Sequence, residues 1–325
     1  MMFSIVLPFY NSEGTIYKAV DSILSQSFID FELIIVNDGS KDNSEKILKE
    51  NFLKDERIKY FKNDNNGVSY TRNYGITKAS NDYILFIDSD DYVEVDYLKE
   101  ISNDLKNNEN NFVIQGFKRV DNLDNLLYTK SFKNRHIKSS EILEDDLLLY
   151  LTPFCKVFDR MLLISNNLKF REDLTYAEDN IFVLEYISKS NKTIYLSNVS
   201  NYNYVLFSNS LSSRLLQPEN YYMPLKVIDD IMLNHFKLDV LQVKSHVLAD
   251  KYVSLLNMFV NSVFIHNYNS KVEFAKLSDR DWNVMFQISK YSSLFRRIVT
   301  FLIKIKQYTV AKFLVNTVLK NYFKK

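Results

Sequence analysis

The stretch Tyr-Ile-Leu-Phe-Ile-Asp-Ser-Asp-Asp at residues 83–91 joins an apolar run to an acidic turn. Residues 83–87 predict a short buried strand that ends where the charged residues begin. Because side chains alternate along an extended chain, the carboxylates of Asp88 and Asp90 can point in the same direction. Two such carboxylates repel each other unless a cation lies between them, and hard oxygen ligands favour Mg²⁺ or Mn²⁺. A solvated acidic turn is the simpler alternative for this stretch taken alone.

The residues before this stretch repeat the alternation of an apolar run with a helical spacing. The predicted strands are Ser4–Phe9, Phe31–Val36 and Ile58–Phe61, and the predicted helices begin near Ile16, near Asp42 and at Val68. Strands and helices that take turns in this way build a parallel sheet with right-handed crossovers. The predicted fold class is therefore α/β, with a Rossmann-like, mostly parallel sheet flanked by helices. Polar residues follow the strand ends, where open sheets of this kind bind ligands.

The chain after the acidic turn changes character. A helix over 94–108 and a strand over 112–117 are predicted, whereas the pattern assigns no element between residues 120 and 150. The spacing then becomes helical towards the end of the chain. The sequence thus predicts two domains, an α/β domain over 1–215 and a helical domain over 216–325.

Composition excludes several classes of protein. The chain has 325 residues, 46% hydrophobic and 25% charged, with only 5 Gly and 4 Pro, which excludes collagen-like and low-complexity disordered chains. Lys and Arg total 41 against 40 Asp and Glu, so no overall positive field would recruit nucleic acid. The single cysteine, Cys155, excludes a disulfide framework and a cysteine-rich metal site. A bound metal would therefore be held by carboxylates.

The N-terminal sequence predicts a first strand and not a targeting segment. Its apolar run has no basic residues before it and no small-residue cleavage site after it. No window reaches the 18 or more apolar residues of a membrane-spanning helix. We expect a cytoplasmic protein whose membrane contact, at the cytoplasmic face of the inner membrane, would be peripheral.

Two further motifs lie at predicted strand or helix ends. In Val-Asn-Asp-Gly-Ser at residues 36–40, Asp38 can accept N–H donors from a ligand base, although a turn with a helix cap is the simpler alternative. In Asn-Asn-Gly-Val-Ser-Tyr-Thr-Arg-Asn at residues 65–73, Arg72 can hold a carboxylate or a phosphate with two hydrogen bonds. A capped helix with a surface arginine is the alternative there. Each simpler alternative is favoured for its motif in isolation.

The order of these motifs points to a family. Leu-Pro-Phe-Tyr-Asn at residues 7–11 comes first, and the motifs at 36–40, 65–73 and 86–91 follow, each at an element end on one edge of the sheet. This series resembles the inverting glycosyltransferases of family 2 over roughly residues 3–210. That family uses nucleotide sugars, has a glycosyltransferase A-type fold, and includes many enzymes that build bacterial capsule and lipopolysaccharide.

The resemblance implies a role for each matching residue. Asp38 would bind the base, most often uracil, and Asp88 with Asp90 would contact the ribose and a Mn²⁺ or Mg²⁺ ion on the diphosphate. The residues that the resemblance assigns to nucleotide-sugar binding are Pro8, Tyr10, Asn11, Asp38, Gly67, Arg72, Asn73, Asp88, Ser89 and Asp90. The implied partners are a UDP-sugar donor and a glycan or lipid-linked glycan acceptor.

An acidic pair before an aromatic residue, Glu178-Asp179-Asn180-Ile181-Phe182, also fits the family. Asp179 would then be the general base that deprotonates the acceptor hydroxyl during hexosyl or N-acetylhexosaminyl transfer into a bacterial surface polysaccharide. An acid at a helix N-terminus, favoured by the helix dipole, is the alternative interpretation. The motifs upstream favour the general base.

Two positions depart from the family pattern. Val205 stands where the family often has an arginine that reaches the diphosphate, so the metal or another cation such as Arg214 would have to replace it. In the middle segment Cys155-Lys156 replaces an Asn-Lys pair and keeps only Lys156. The roles of both positions stay open.

The C-terminal stretch over residues 294–319 interleaves apolar residues with Arg296, Arg297, Lys304 and Lys306. Such a helix can bind an anionic membrane surface, or it can pack its apolar face on the catalytic domain or on another subunit of a homo-oligomer. The sequence favours neither membrane binding nor packing against protein.

Other functions are weaker fits to the same motifs. A haloacid dehalogenase-like phosphohydrolase carries its two aspartates after the first strand, whereas here they follow the fourth. A dinucleotide-dependent oxidoreductase would need a Gly-x-Gly-x-x-Gly after the first strand. A non-catalytic module would bind a nucleotide sugar without turnover, and the presence of Asp88, Asp90 and Asp179 argues against it.

Overall fold

The computed structural model of the protein describes residues 2–108, 111–139, 141, 147, 150–207, 216–234, 236, 258–263, 268–277, 308 and 311. The chain divides into two compact units. The first unit comprises Met1–Ser139, Leu151–Asp173 and Glu178–Leu211. The second comprises Ser140–Tyr150, Leu174–Ala177 and Ser212–Lys325. The domain boundary at residue 215 stays a prediction.

Strands and helices alternate over residues 3–86 of the first unit, and strands predominate after that. In chain order its elements are β1 (Phe3–Phe9), α1 (Ile16–Leu24), β2 (Phe31–Asn37), α2 (Ser44–Asn51), β3 (Ile58–Lys62), α3 (Val68–Lys78), β4 (Tyr83–Phe86), β5 (Tyr92–Val93), α4 (Tyr97–Asn107), β6 (Phe112–Ile114), β7 (Phe117–Asp121), β8 (Leu126–Lys130), β9 (Arg135–Ile137), β10 (Phe158–Asp159), α5 (Arg160–Ser165), α6 (Glu178–Lys189), β11 (Ile194–Leu196) and β12 (Tyr202–Leu206).

The central sheet has the strand order β10-β4-β1-β2-β3. Strands β1 to β4 are parallel, and β10 pairs antiparallel with β4. Every residue of β1 and β2 is buried, which explains their nearly continuous apolar runs, because such parallel strands are covered on both faces. The predicted βαβαβαβ pattern and the α/β class are confirmed.

The strand order changes direction at β1. The chain runs outward from β1 through β2 to β3 and then returns to place β4 on the other side of β1. The carboxyl ends of β1 and β4 are therefore neighbours, and this is the point where the strand order reverses. Val6 of β1 is paired with Phe86 of β4 close to those ends. Open α/β sheets bind their ligands in the crevice at such a switch point.

The predicted strand over 112–117 is wrong as a single element. It is split into β6, in a three-stranded sheet of order β6-β11-β9, and β7, in a four-stranded sheet of order β5-β12-β7-β8. The chain changes sheets at Gln115 and Gly116, whose N–H groups donate to Cys155 and Val199. A Cβ on Gly116 would lie 2.1 Å from the Lys130 carbonyl oxygen, so only glycine fits this crossing.

The segment that the sequence pattern left unassigned contains β8 and β9. Four of the five residues of β8 are exposed, which removes the alternation of buried and exposed residues that marks a half-buried strand. The strand is held instead by its antiparallel pairing with β7.

The described residues of the second unit after residue 216 are mostly helical. One helix, α7, spans Glu219–Asn234, residues 258–263 are also helical, and a short helix spans Ser270–Phe274. Tyr221, Leu225 and Met232 form part of the buried face of α7. Apart from residues 308 and 311, the basic stretch over 294–319 lies outside the described residues.

Among the helices that the structure describes, none combines the length and the apolar character that crossing a bilayer requires.

Candidate active site

A cavity of about 510 Å³ lies at the carboxyl ends of β1 and β4. All the residues predicted to bind the nucleotide sugar line it, except Gly67 and Asn73. The full lining is Pro8, Phe9, Tyr10, Asn11, Ser12, Thr15, Asp38, Val68, Thr71, Arg72, Asp88, Ser89, Asp90 and Phe207. The switch point of the sheet and the predicted motifs therefore coincide.

The loop after β1 is tied to its neighbours by short polar side chains. The Asn11 N–H donates to the Ser40 hydroxyl at 3.0 Å, and the Asn11 side-chain oxygen accepts from the Lys41 N–H at 2.8 Å. The hydroxyls of Ser12 and Ser89 lie 2.9 Å apart, which joins this loop to the acidic turn. These hydrogen bonds fix the loop after β1, the loop after β2 and the acidic turn relative to one another.

Asp38 is buried and is oriented by the loop that precedes α3. Its two carboxylate oxygens accept from the N–H groups of Asn66 and Gly67, each at 2.8 Å. A carboxylate has about four acceptor positions, so Asp38 keeps capacity for a ligand donor. Gly67 adopts φ +92°, a backbone conformation that favours glycine. Gly67 thus acts on the cavity through Asp38 and not as part of its lining.

Arg72 joins two acidic residues that are far apart in the sequence. Its side chain is 5% exposed and donates to Asp88 at 2.8 Å and to Asp179 at 2.6 Å. Burial lowers the pKa of Arg72, but the charges of Asp179 and Asp88 outweigh it and raise that pKa above its ordinary value. Asp179 does not line the cavity itself, yet it shares one guanidinium with a residue that does.

Three carboxylates near Arg72, those of Asp90, Glu178 and Asp179, have raised pKa values. Burial and then the charge of Asp88 raise the pKa of Asp90 to about 6. Burial and then the charge of Asp179 raise the pKa of Glu178 to about 7. Burial also raises the pKa of Asp179, although Arg72 opposes this. A carboxylate with a raised pKa is a stronger base, so Asp179 is suited to accept a proton.

Asn73 lies next to Arg72 but faces away from the cavity lining. Its amide bonds to Phe170 and Glu172, in the segment between α5 and α6. The resemblance placed Asn73 with the nucleotide, whereas the structure places it against the part of the chain that leads to Asp179.

The acidic turn has a fixed partner that the sequence did not disclose. Asp91 is buried and accepts from the Tyr202 hydroxyl at 2.6 Å and from the Val205 N–H at 2.9 Å. Asp91 therefore anchors the turn that presents Asp88 and Asp90. The sequence signal was the third aspartate of the motif, but its partners lie more than a hundred residues further along the chain.

The two positions that depart from the family pattern, Val205 and Cys155-Lys156, make different contacts in the structure. Val205 contributes its backbone N–H to Asp91, and Arg214 lies outside the described residues. Lys156 is buried, with its ammonium 3.4 Å from the Phe154 carbonyl oxygen, and its charge opposes the rise in the pKa of Asp179.

The residues at the cavity fit a metal ion that is shared with a bound ligand. Asp88 and Asp90 supply hard oxygen atoms on the cavity wall, and burial together with the charge of Asp88 raises the pKa of Asp90. Across the described part of the chain, no group of three or more His, Cys, Asp or Glu side chains is arranged to hold a metal alone. Further ligands would have to come from phosphate oxygens and water.

Comparisons with known proteins identify the family and its relatives. Residues 4–165 match the family model of glycosyl transferase family 2. The uncharacterised glycosyltransferase EpsJ of Bacillus subtilis is 34% identical over 187 residues, which cover 56% of this chain and 54% of EpsJ. The chain thus spans about half the length of EpsJ. The poly(ribitol-phosphate) β-N-acetylglucosaminyltransferase TarP of Staphylococcus aureus is 27% identical over 290 residues, covering 83% of this chain and 85% of TarP.

A solved structure shares the fold. The crystal structure of residues 1–349 of Staphylococcus aureus TarS with UDP-GlcNAc matches with a TM-score of 0.68 and 21% identity, covering 99% of this chain and 92% of that one. The fold is therefore the glycosyltransferase A-type fold. Since the matching residues 4–165 include the strands and loops that build the cavity, the chain belongs to glycosyltransferase family 2.

Proposed function

We propose that the protein is an inverting glycosyltransferase that moves a sugar from a UDP-sugar to a hydroxyl of a bacterial cell-surface polymer. The observation that carries the proposal is the Arg72 guanidinium, which holds Asp88 on the cavity wall and Asp179 beside it. A donor site and a general base must lie within one transferred sugar of each other, and a shared guanidinium keeps their carboxylates that close.

The donor side is supported by the shape and chemistry of the cavity. Asp38 offers a buried, oriented carboxylate for the N–H of a uracil base, and Tyr10, 42% exposed at the cavity, offers a ring for stacking. TarS was crystallised with UDP and with UDP-GlcNAc. TarP is named as an N-acetylglucosaminyltransferase, and a relative from Bacillus spizizenii is named as a poly(ribitol-phosphate) β-glucosyltransferase. UDP-GlcNAc and UDP-glucose are the first donors to test.

The same relatives suggest the acceptor. TarP, TarS and the Bacillus spizizenii enzyme are all named for poly(ribitol-phosphate), a polymer with free hydroxyl groups. A relative from Campylobacter jejuni is named for a glycan on undecaprenyl diphosphate. We propose a polyol-phosphate or lipid-linked glycan acceptor. Contact with a membrane surface and formation of a homo-oligomer remain predictions that fall largely on residues outside the described part of the chain.

The chemistry assigns a task to each acid. Asp88 and Asp90 would hold Mn²⁺ or Mg²⁺ together with the donor diphosphate. When bound, such an ion stabilises the negative charge that develops on the leaving diphosphate. Asp179 accepts the proton of the acceptor hydroxyl while the hydroxyl oxygen bonds to the anomeric carbon and the bond to the diphosphate oxygen breaks. Attack opposite the leaving group inverts the anomeric centre.

Arg72 orients the general base. It binds the Oδ1 atom of Asp179, which leaves Oδ2 to take the proton. It also pairs with Asp88, so one positive charge is shared between the donor side and the base.

The proposal is tested by replacing the base. We expect Asp179→Asn to lower the rate of UDP release from UDP-GlcNAc or UDP-glucose, in the presence of acceptor, by about a hundredfold to ten-thousandfold, because that is what general-base catalysis contributes. UDP affinity should change by no more than about threefold, because Asp179 lies outside the cavity lining.

A matched control is available in the same segment. Asp173 is 51% exposed and pairs with Arg171 on the surface. Asp173→Asn should keep the turnover of the unmodified protein within about twofold. Full turnover in Asp179→Asn would remove Asp179 from the role of general base.

A further inference from the structure

Both polar atoms of the Asn73 amide form hydrogen bonds with the backbone of Phe170, in the segment before α6. Its Oδ1 accepts from the Phe170 N–H at 2.8 Å, and its Nδ2 donates to the Phe170 carbonyl oxygen at 2.8 Å. The same Nδ2 donates to the Glu172 carboxylate at 2.9 Å. The side chain is buried, and it binds Phe170 at both backbone groups as a neighbouring strand would.

The ring of Phe170 contacts Arg72 of the ion pair and also Phe182, which lies on the helix that carries Asp179. It stacks on Phe182 with the ring centroids 3.8 Å apart and the planes at 14°. The guanidinium carbon of Arg72 lies 5.2 Å from the centre of the Phe170 ring, within range of a cation–π contact. Phe182 follows Asp179 by three residues on α6, about one helical turn away. A shift of Phe170 would therefore reach Arg72 and the first turn of α6 together.

We infer that Asn73 is a positioning residue for sugar transfer: by fixing Phe170, it keeps the Arg72–Asp179 pair aligned with the acceptor hydroxyl. The inference rests on the proposed function. It assigns Asn73 to the base side of the reaction and not to the nucleotide, because Asn73 has no part in the cavity lining.

The chemistry of the contact requires an amide. An aspartate at position 73 would still accept from the Phe170 N–H, but it has no N–H to donate to the Phe170 carbonyl oxygen or to Glu172. It would also place a second carboxylate against Glu172. A buried carbonyl oxygen without a donor is unfavourable, so Phe170 would move.

The first experiment compares two identical substitutions. We expect Asn73→Asp to lower kcat at least tenfold while the KM for the UDP-sugar and the Kd of UDP stay within about twofold. Asn81→Asp is the matched control, because Asn81 also donates its amide to a backbone carbonyl, that of Phe3, at the amino end of β1 and away from the cavity. The control should leave kcat unchanged within about twofold.

A second substitution tests the polarity of the contact. Glu172→Gln alone should leave kcat near that of the unmodified protein, since a glutamine oxygen still accepts from Asn73. In the Asn73→Asp background, Glu172→Gln supplies an N–H donor to the new carboxylate. We expect that double variant to relieve the repulsion at position 172 but to recover no more than about threefold in kcat, because the Phe170 carbonyl oxygen still lacks its donor.

Hydrogen exchange supplies a readout that does not need activity. We expect faster amide exchange in the peptide over residues 178–189 for Asn73→Asp, and no change there for Asn81→Asp, because only the first loosens α6. If the unmodified protein transfers no sugar, the proposed function fails and this exchange result still decides whether Asn73 positions α6.

Three results would overturn the inference. These are an unchanged kcat in folded Asn73→Asp, a loss of UDP affinity that matches the loss of kcat, and unchanged exchange over 178–189. If Asn73→Asp does not fold, Phe170→Leu replaces it, because leucine removes the ring contact with Arg72 and keeps an apolar side chain. The same drop in kcat with unchanged Kd is then expected, and its absence counts against the inference.

Discussion

Arg72 lies among four carboxylates and forms ion pairs with two of them, those of Asp88 and Asp179. Its charge also opposes the rise in the pKa of the other two, Asp90 and Glu178. Burial raises the pKa values of Asp90 and Glu178, and the charges of the neighbouring carboxylates, which one guanidinium does not balance, raise them further. A donor diphosphate would add further negative charge to the same place. The local charge balance therefore supports a divalent cation as part of the donor complex.

The raised pKa of Glu178 predicts how the stability of the protein depends on pH. Glu178, with a pKa raised from 4.5 to about 7, holds a proton in the folded protein that the unfolded chain releases. The free energy of unfolding should therefore fall as the pH rises between about 4.5 and 7. Glu178→Gln cannot ionise, so we expect it to match the unmodified protein below pH 4.5 and to exceed its stability at pH 8 by up to about 3 kcal/mol.

Urea unfolding at pH 4.5 and pH 8 measures this difference. Glu50→Gln is the control, since Glu50 is 61% exposed and pairs weakly with Lys46. It should change the free energy of unfolding by less than about 0.5 kcal/mol at either pH. A Glu178→Gln variant that is less stable at pH 8 would contradict the charge balance described for the site.

At the scale of elements, α3 holds the donor cavity and the base side together. Its buried residues are Ser69, Thr71, Arg72, Asn73, Gly75 and Ile76. Most of them are polar, so α3 has no apolar stripe of the kind that marks α1, whose buried residues are Ile16, Ala19, Val20 and Ile23. The buried face of α3 is used for hydrogen bonds and close approach, and its sequence reflects the site more than the core.

Gly75 lets α3 lie directly on β1. A Cβ at Gly75 would be 2.3 Å from the Cγ1 atom of Val6, which is fully buried in the central sheet. We expect Gly75→Ala to lower the free energy of unfolding by about 1–3 kcal/mol, because overpacking outweighs the better helix propensity of alanine. Adding Val6→Ala should recover part of that loss, which a double-mutant cycle by urea unfolding measures.

Gly14 provides the comparison for this prediction. A Cβ there would have nothing within 4 Å, so Gly14→Ala should change stability by less than about 0.5 kcal/mol. Equal stability of Gly14→Ala and Gly75→Ala would mean that α3 does not pack on β1 as closely as described.

What the sequence predicts differs between elements for physical reasons. The first four strands and their helices follow from periodicity, because each is buried on a regular face. The split at Gln115 and Gly116 does not, since only these two residues separate the apolar residues of the two strands. The Arg72–Asp179 pair joins residues 107 apart, a contact that no local pattern contains. The motifs named both residues, and only the fold shows that they touch.

At the scale of the whole molecule, the topology explains why the motifs share one cavity. Each loop follows a parallel strand, and the carboxyl ends of those strands lie on one edge of the sheet. This part was predictable from the first hundred residues. The later residues of the site, Lys156, Asp179, Tyr202, Val205 and Phe207, come from parts of the chain where the pattern was weaker.

The central claim is that this cavity binds a uridine nucleotide with the help of a metal ion. Calorimetric titration of UDP into the full chain, with and without Mn²⁺, measures that most directly. We expect one site whose affinity requires Mn²⁺ and falls at least tenfold in Asp38→Ala and in Asp90→Ala. Because the pKa of Asp90 is raised to about 6, affinity should fall as the pH drops below 6, where a proton must leave before the ion binds.

The site geometry predicts that UDP binds with a heat that requires Mn²⁺ and that is lost in Asp38→Ala. No binding of UDP in the presence of Mn²⁺, combined with steady phosphate release from simple phosphoesters, would contradict it and would favour a phosphohydrolase.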